Sequence, residues 1–165
     1  MDKPLVVYYS KTGTTDKLVY TIQPKLDAEY IRLEEEGKWF KKFIVNLSFQ
    51  RENKKDLNVR EFDPIILLTP VWHGKPTPAM NGFLDSVDLK GKRVVLGLVG
   101  AKEANPGALE KLRTKAILRG CSFIETVYLR GVFPGKNWRD MSEEAYTIEA
   151  EKLVGKVKGV LEFPK

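Results

Sequence analysis

Leu5-Val6-Val7-Tyr8-Tyr9-Ser10-Lys11-Thr12-Gly13-Thr14-Thr15-Asp16 is the stretch on which the fold reading turns. Its first five residues form an unbroken apolar run of strand length. A strand with one wet face would alternate, so this one reads as buried on both faces. Hydroxyls and one glycine follow, and a helix-period pattern through Leu18, Val19 and Ile22 begins at once. Donors that converge at a helix N-terminus, aided by the helix dipole, make a cradle for a phosphate group. The plainer alternative is a hydroxyl-rich turn that only caps the helix. A nucleotide-hydrolase loop would need G-x-x-x-x-G-K-[ST]. Here a single glycine follows Lys11, so the loop suits a monophosphate held by hydrogen bonds rather than a transferred phosphoryl.

Outward from that stretch, apolar runs of strand length recur at 65–69, 94–99 and 123–129, with a weaker, mixed run at 28–33 placed at the sheet edge. Helix-period segments lie between them. One spans 34–49, with Trp39, Phe40, Phe43, Ile44 and Leu47 on one face. Another spans 107–119, with Leu109, Leu112 and Ala116 inward and Gly120 suited to a left-handed C-cap. The last begins near Ser142, a candidate N-cap followed by Glu143 and Glu144, and carries the stripe Tyr146, Ala150, Leu153, Val157 and Val160. Parallel neighbours need helical crossovers, so the alternation predicts an α/β fold: a parallel sheet with helices on both faces. Residues 51–58 read as a charged connector within one domain covering 1–165.

Composition agrees with that reading. The chain has 165 residues, 42% hydrophobic and 30% charged, which fits one globular domain. No stretch approaches the ~20 apolar residues of a membrane span, and Met1-Asp2-Lys3-Pro4 opens no cleavable signal. A soluble, cytoplasmic protein is expected. One cysteine and one histidine exclude an internal disulfide and a Cys/His zinc cluster. Cys121 reads as a small residue leading into a strand. The net charge of +6 could attract acidic partners or anionic cofactors. Basic and acidic residues alternate, as in Arg51-Glu52-Asn53-Lys54-Lys55-Asp56, so no basic face points to nucleic acid.

Two further loops leave buried strands. Pro70-Val71-Trp72-His73-Gly74-Lys75-Pro76-Thr77-Pro78 precedes a helix with Met80, Phe83 and Leu84. Trp72 and His73 could cover a flat ligand, or Trp72 could be core and His73 surface. Gly100-Ala101-Lys102-Glu103-Ala104-Asn105-Pro106-Gly107 offers small residues to a ring edge. Residues 132–138 read as a surface loop that packs Phe133 or Trp138 down, or else as an edge for a substrate or partner. Together the three strand-end loops describe a site for a phosphorylated planar heterocycle.

At these residues the sequence resembles the flavodoxin family. The run from Tyr9 to Thr15 matches the family's [ST]-x-T-G-x-T phosphate loop at every fixed position, and the run from Thr69 to Leu84 resembles the segment that packs on the flavin. The resemblance implies a flavodoxin-like three-layer sandwich, its five-stranded parallel sheet in the order 2-1-3-4-5, with FMN held noncovalently. Ser10, Thr12, Gly13, Thr14 and Thr15 would hold the phosphate, with Lys11 in the same loop. Pro70, Val71, Trp72, His73 and Gly74 would contact one side of the isoalloxazine, and Gly100, Ala101 and Lys102 would border the other. Two departures stand out. The third loop lacks the aromatic residue that sandwiches the ring in many flavodoxins, and the chain is basic where electron-shuttling flavodoxins are acidic.

The function implied is an FMN-binding oxidoreductase or electron-transfer protein, either a one-electron carrier or an NAD(P)H-dependent quinone or flavin reductase. Its partner would be an acidic redox protein or a small quinone or flavin acceptor. No catalytic side chain is assigned. The rival reading is a flavin-free binding or sensor module on the same fold.

Overall fold

The computed structural model describes residues 3–34, 59–101 and 105–163. The expected aromatic helix after Glu34, the connector at 51–58 and Lys102 therefore lie outside the described residues.

The apolar runs pair into one sheet. Its strands are β1 (Leu5–Tyr9), β2 (Glu29–Leu33), β3 (Ile65–Trp72), β5 (Arg93–Gly100) and β6 (Phe123–Arg130), and a two-residue β4 (Lys75–Pro76) pairs with β3 alone. The order is β2-β1-β3-β5-β6, all parallel. With β4 set aside this is the 2-1-3-4-5 order. The register places Ile31, Val7, Leu67 and Leu96 side by side across four strands, which explains why these runs are apolar throughout. The edge strand β2 buries only Ile31 and Leu33 fully, hence its mixed composition.

Helices α1 (Thr14–Ile22) and α4 (Glu143–Glu162) cover one face, packing Leu18, Ile22, Leu153 and Val157 on Val6, Ile66 and Val95. Helices α2 (Pro78–Ser86) and α3 (Pro106–Leu118) cover the other, packing Met80, Leu84 and Leu112 on Val7, Leu67 and Leu96. Local chemistry fixes their ends. Ser142 accepts from the Ala145 N–H at 3.1 Å as the N-cap of α4, Asn105 accepts from Ala108 at 2.9 Å for α3, and α3 gives way to Gly120 at φ 86°.

At the amino ends of the strands, Asp63 and Arg93 form a buried ion pair at 3.1 Å. The same guanidinium donates to the carbonyls of Val160 at 2.9 Å and Phe163 at 2.8 Å, tying the end of α4 to the sheet. Among the described residues no helix is long and apolar enough to cross a membrane, and no group of three or more His, Cys, Asp or Glu could hold a metal ion.

Candidate functional site

At the carboxyl ends of the strands, the segments following β1, β3, β5 and β6 surround a cavity of about 210 Å³. The first segment turns through Gly13 at φ 85° straight into α1, so no side chain occupies the cap position. Ser10 accepts from the Asp16 N–H at 3.2 Å, and the Thr12 and Thr14 hydroxyls lie 3.3 Å apart. Capping thus accounts for one hydroxyl of the loop. The N–H groups of Thr12, Gly13, Thr14 and Thr15 have no hydrogen-bond partner among the described residues. Backbone donors left without partners at a helix N-terminus are free to take an anionic ligand or ordered water. Ser10, Lys11, Thr12, Thr14 and Thr15 all line the cavity.

A bracing pair sits behind the loop. The Arg32 guanidinium donates to Asp16 at 2.7 and 3.2 Å and to the Ser10 carbonyl at 2.8 Å. Its hydrogen bond to Asp16 pushes the Arg32 pKa up, against a smaller opposing effect of burial. Burial, reinforced by the Asp16 charge, pushes the neighbouring Tyr8 phenol up, so Tyr8 stays neutral. A wider hollow of about 620 Å³ opens on this side, lined by Tyr8, Tyr20 and Trp138. Its charged groups are already paired, Arg32 with Asp16 and Glu34, and Lys17 with Glu143.

The second segment is tighter than the sequence suggests. β3 continues past Thr69 to Trp72 and returns as β4, with Val71 opposite Pro76 and Trp72 opposite Lys75. The turn between them has His73 at φ 47° and Gly74 at φ 72°, both left-handed as a two-residue hairpin requires. Pro70, Val71 and Trp72 line the cavity, whereas the exposed His73 and the half-buried Gly74 form the turn and do not. The hairpin is anchored by the buried Thr69 and Thr77 hydroxyls, 2.9 Å apart, at the start of α2. The Trp72 ring meets Tyr9 edge-on, centroids 5.7 Å apart, and the Lys11 ammonium sits 4.5 Å from its centroid.

In the third segment Gly100 and Ala101 line the cavity. A Cβ on Gly100 would overlap the Tyr128 hydroxyl, so β5 reaches the rim there only as glycine.

Sequence reasoning undervalued the fourth wall. Residues 131–136, after β6, contribute Gly131, Val132, Phe133, Pro134, Gly135 and Lys136 to the lining. Trp138, just beyond, packs so closely on Gly13 that a Cβ there would overlap its Cδ1. Tyr146 fixes Trp138 by donating to its carbonyl at 2.9 Å. The available signal was a Pro134-Gly135 turn flanked by Phe133 and Lys136, with nothing local to show which way it folds. Cys121, by contrast, stays outside the site, and burial pushes its thiol up, away from reactivity.

Of the residues expected to bind a cofactor, loops one, two and three thus bring ten to one cavity. Gly13 lies behind it against Trp138, His73 and Gly74 lie at the hairpin tip, and Lys102 is outside the described residues.

The fold has many structural relatives. The flavodoxin, WrbA-like protein from Agrobacterium tumefaciens superposes with a TM-score of 0.66 at 14% identity, covering 99% of this chain and 100% of that one. A flavoprotein from Lactobacillus acidophilus, solved in complex with FMN, gives 0.59 at 18% identity over 79% of this chain and 93% of that one. An NADH:FMN oxidoreductase, EMOB, solved in its apo form, gives 0.59 at 13% identity over 98% and 92%. No curated protein matches the sequence. The sequence model of the Flavodoxin domain matches residues 5–140, and with the phosphate-loop motif and the 2-1-3-4-5 sheet this places the chain in the flavodoxin family.

Proposed function

We propose that this chain, as a single domain, binds one FMN noncovalently in the four-walled cavity and works as an FMN-dependent oxidoreductase. The observation that carries the reading is the juxtaposition of unpartnered amides, flanked by hydroxyls, in loop one with an indole wall at Trp72 and a small-residue edge at Gly100 and Ala101. One end fits a phosphate and the other a planar ring. The structural neighbours described as an FMN complex and as an NADH:FMN oxidoreductase support the same reading.

Bound FMN supplies the hydride and electron chemistry. The chain's own residues bind and orient. Thr12, Thr14 and Thr15 with their amides hold the phosphate, and Ser10 keeps the loop in shape through Asp16. Pro70, Val71 and Trp72 give the ring a dry wall. Among the described lining residues two are ionisable, Lys11 and Lys136, both cationic. Positive charge beside the ring, from Lys11 against Trp72, favours taking up reducing equivalents over donating them at low potential. That supports a reductase delivering to a small quinone or flavin acceptor, or to an acidic redox partner, over an electron shuttle.

The test is titration of the flavin-free protein with FMN and riboflavin, followed by NADH and NADPH oxidation assays with quinone acceptors. The expected result is 1:1 binding with FMN held much more tightly than riboflavin, and pyridine-nucleotide turnover. Equal affinity for both flavins would overturn the phosphate assignment. Tight FMN binding with no pyridine-nucleotide turnover would overturn the reductase reading in favour of the one-electron carrier.

A further inference from the structure

We infer that the segment after β6 is a strap across the phosphate end of the cavity and that Lys136 supplies the counter-charge to the phosphate, an inference that rests on the FMN reading. The strap is fastened at its start to the end of β5 and at its end to loop one. At its start the Gly131 N–H donates to the Gly100 carbonyl at 2.7 Å. A Cβ on Gly131 would stand 2.9 Å from Val99 Cγ1 and 3.5 Å from Thr14 Cγ2, so the backbone packs against the end of β5 and passes beside the first residue of α1. At its end Trp138 lies on Gly13. Gly13 and Thr14 are consecutive, and their amides are among those left without partners.

Between the anchors the chain makes one turn, closed by the Lys136 N–H donating to the Phe133 carbonyl at 3.0 Å with Gly135 at φ 82°. The turn therefore carries Lys136 on a short span that starts at the end of β5, beside Thr14, and ends against Gly13 of loop one.

Charge singles out the same residue. Lys11 lies over the Trp72 ring, and Lys17, one turn into α1, is bonded to Glu143 at 2.8 Å. The Lys136 ammonium has no hydrogen-bond or ion-pair partner among the described residues. Among the described residues no carboxylate lines the cavity to compete for it. A phosphomonoester carries a charge of about −1.5 to −2 at neutral pH. Hydroxyls and amides alone would leave that charge uncompensated, and a lysine on a flexible stem can meet it as a point charge.

The experiment measures FMN and riboflavin affinities of the flavin-free full chain and of Lys136→Ala, Lys136→Arg and Lys136→Glu, each at low and high salt. Lys136→Ala should weaken FMN about tenfold, the effect of losing one charge-assisted hydrogen bond, and leave riboflavin within twofold. Lys136→Arg should restore most of the FMN affinity, Lys136→Glu should weaken it further, and the salt dependence of FMN binding should flatten in Lys136→Ala. Equal losses for both flavins, or no loss for FMN, would overturn the inference while leaving the FMN reading standing. If the unaltered chain failed to prefer FMN, both would fall together.

Discussion

At the amino ends of the strands the Arg93 guanidinium meets the Asp63 carboxylate and two carbonyls of the α4 end, whereas at the carboxyl ends the amides of Thr12, Gly13, Thr14 and Thr15 have no partner among the described residues. Both regions concentrate polar groups against the same apolar sheet. In the first, the guanidinium is met by a carboxylate and two carbonyls of the protein itself, and the result is a clamp that holds α4 to β5. In the second, donors are held in place by Ser10 and by the Asp16–Arg32 pair but are themselves left over. Saturation is the mark of structure, and ordered insufficiency is the mark of a binding site.

The largest expected effect tests the clamp. Replacing Arg93 with Met keeps the side-chain bulk but leaves the Asp63 carboxylate buried without its cation, which costs about 3–5 kcal/mol of folding stability. Urea unfolding should show that loss, while the folded variant keeps the FMN-to-riboflavin affinity ratio of the unaltered chain. A changed ratio would mean the two ends are coupled, and the contrast drawn between them would fail.

Next in size is the phosphate cradle. Thr12→Ala and Thr15→Ala should each weaken FMN by about 1–3 kcal/mol per hydrogen bond lost and leave riboflavin nearly untouched. Folding stability should barely move for Thr12→Ala, because its hydroxyl faces the other loop hydroxyl rather than the core. A large stability loss at Thr12 with no change in FMN binding would put this end of the sheet in the same class as the Arg93 clamp.

These two regions also differ in how far the sequence exposes them. The strands were legible because the sheet is covered on both faces, so β1, β3 and β5 had to be continuous apolar runs; the loop after β1 was legible because Ser10, Thr12, Gly13 and Thr15 match four fixed residue types within six consecutive positions. The Asp63–Arg93 clamp joins residues thirty positions apart in sequence that look like ordinary surface charges, and only the pairing of β3 with β5 brings them together. The strap after β6 was obscure for the same reason. Its role comes from the crossing of the chain from β6 over α1 to α4, which no local pattern encodes, and Lys136 is one of 28 basic residues. His73 illustrates the opposite error. A histidine beside Trp72 suggests stacking, but β3 runs on to Trp72, and the reversal into β4 falls on His73 and Gly74, which carries them to the hairpin tip.

The smallest expected effect distinguishes the two cations of the site from each other. Lys11 lies against Trp72, the proposed ring wall of the cavity, whereas Lys136 is carried by the strap that ends on loop one. Reduction adds negative charge to the flavin ring, so a cation near the ring raises the potential and its removal lowers it. A unit charge about 7 Å away in a water-like medium shifts a one-electron potential by roughly 25 mV. Lys11→Gln should therefore make the FMN-loaded protein harder to reduce by that order, and the shift should shrink at high salt because the ammonium is exposed. Lys136→Gln should move the potential less, since a cation spent on the phosphate is both farther from the ring and largely neutralised. Potentiometric titration of both variants at low and high salt reads the difference directly. Tryptophan fluorescence of the flavin-free Lys11→Gln protein checks that loss of the cation has not displaced the Trp72 indole. A larger shift from Lys136 than from Lys11 would reverse the orientation of the site, setting the ring beneath the strap and the phosphate toward the hairpin. Equal shifts that vanish together in salt would mean that both lysines act on the ligand only through the general field of the +6 chain.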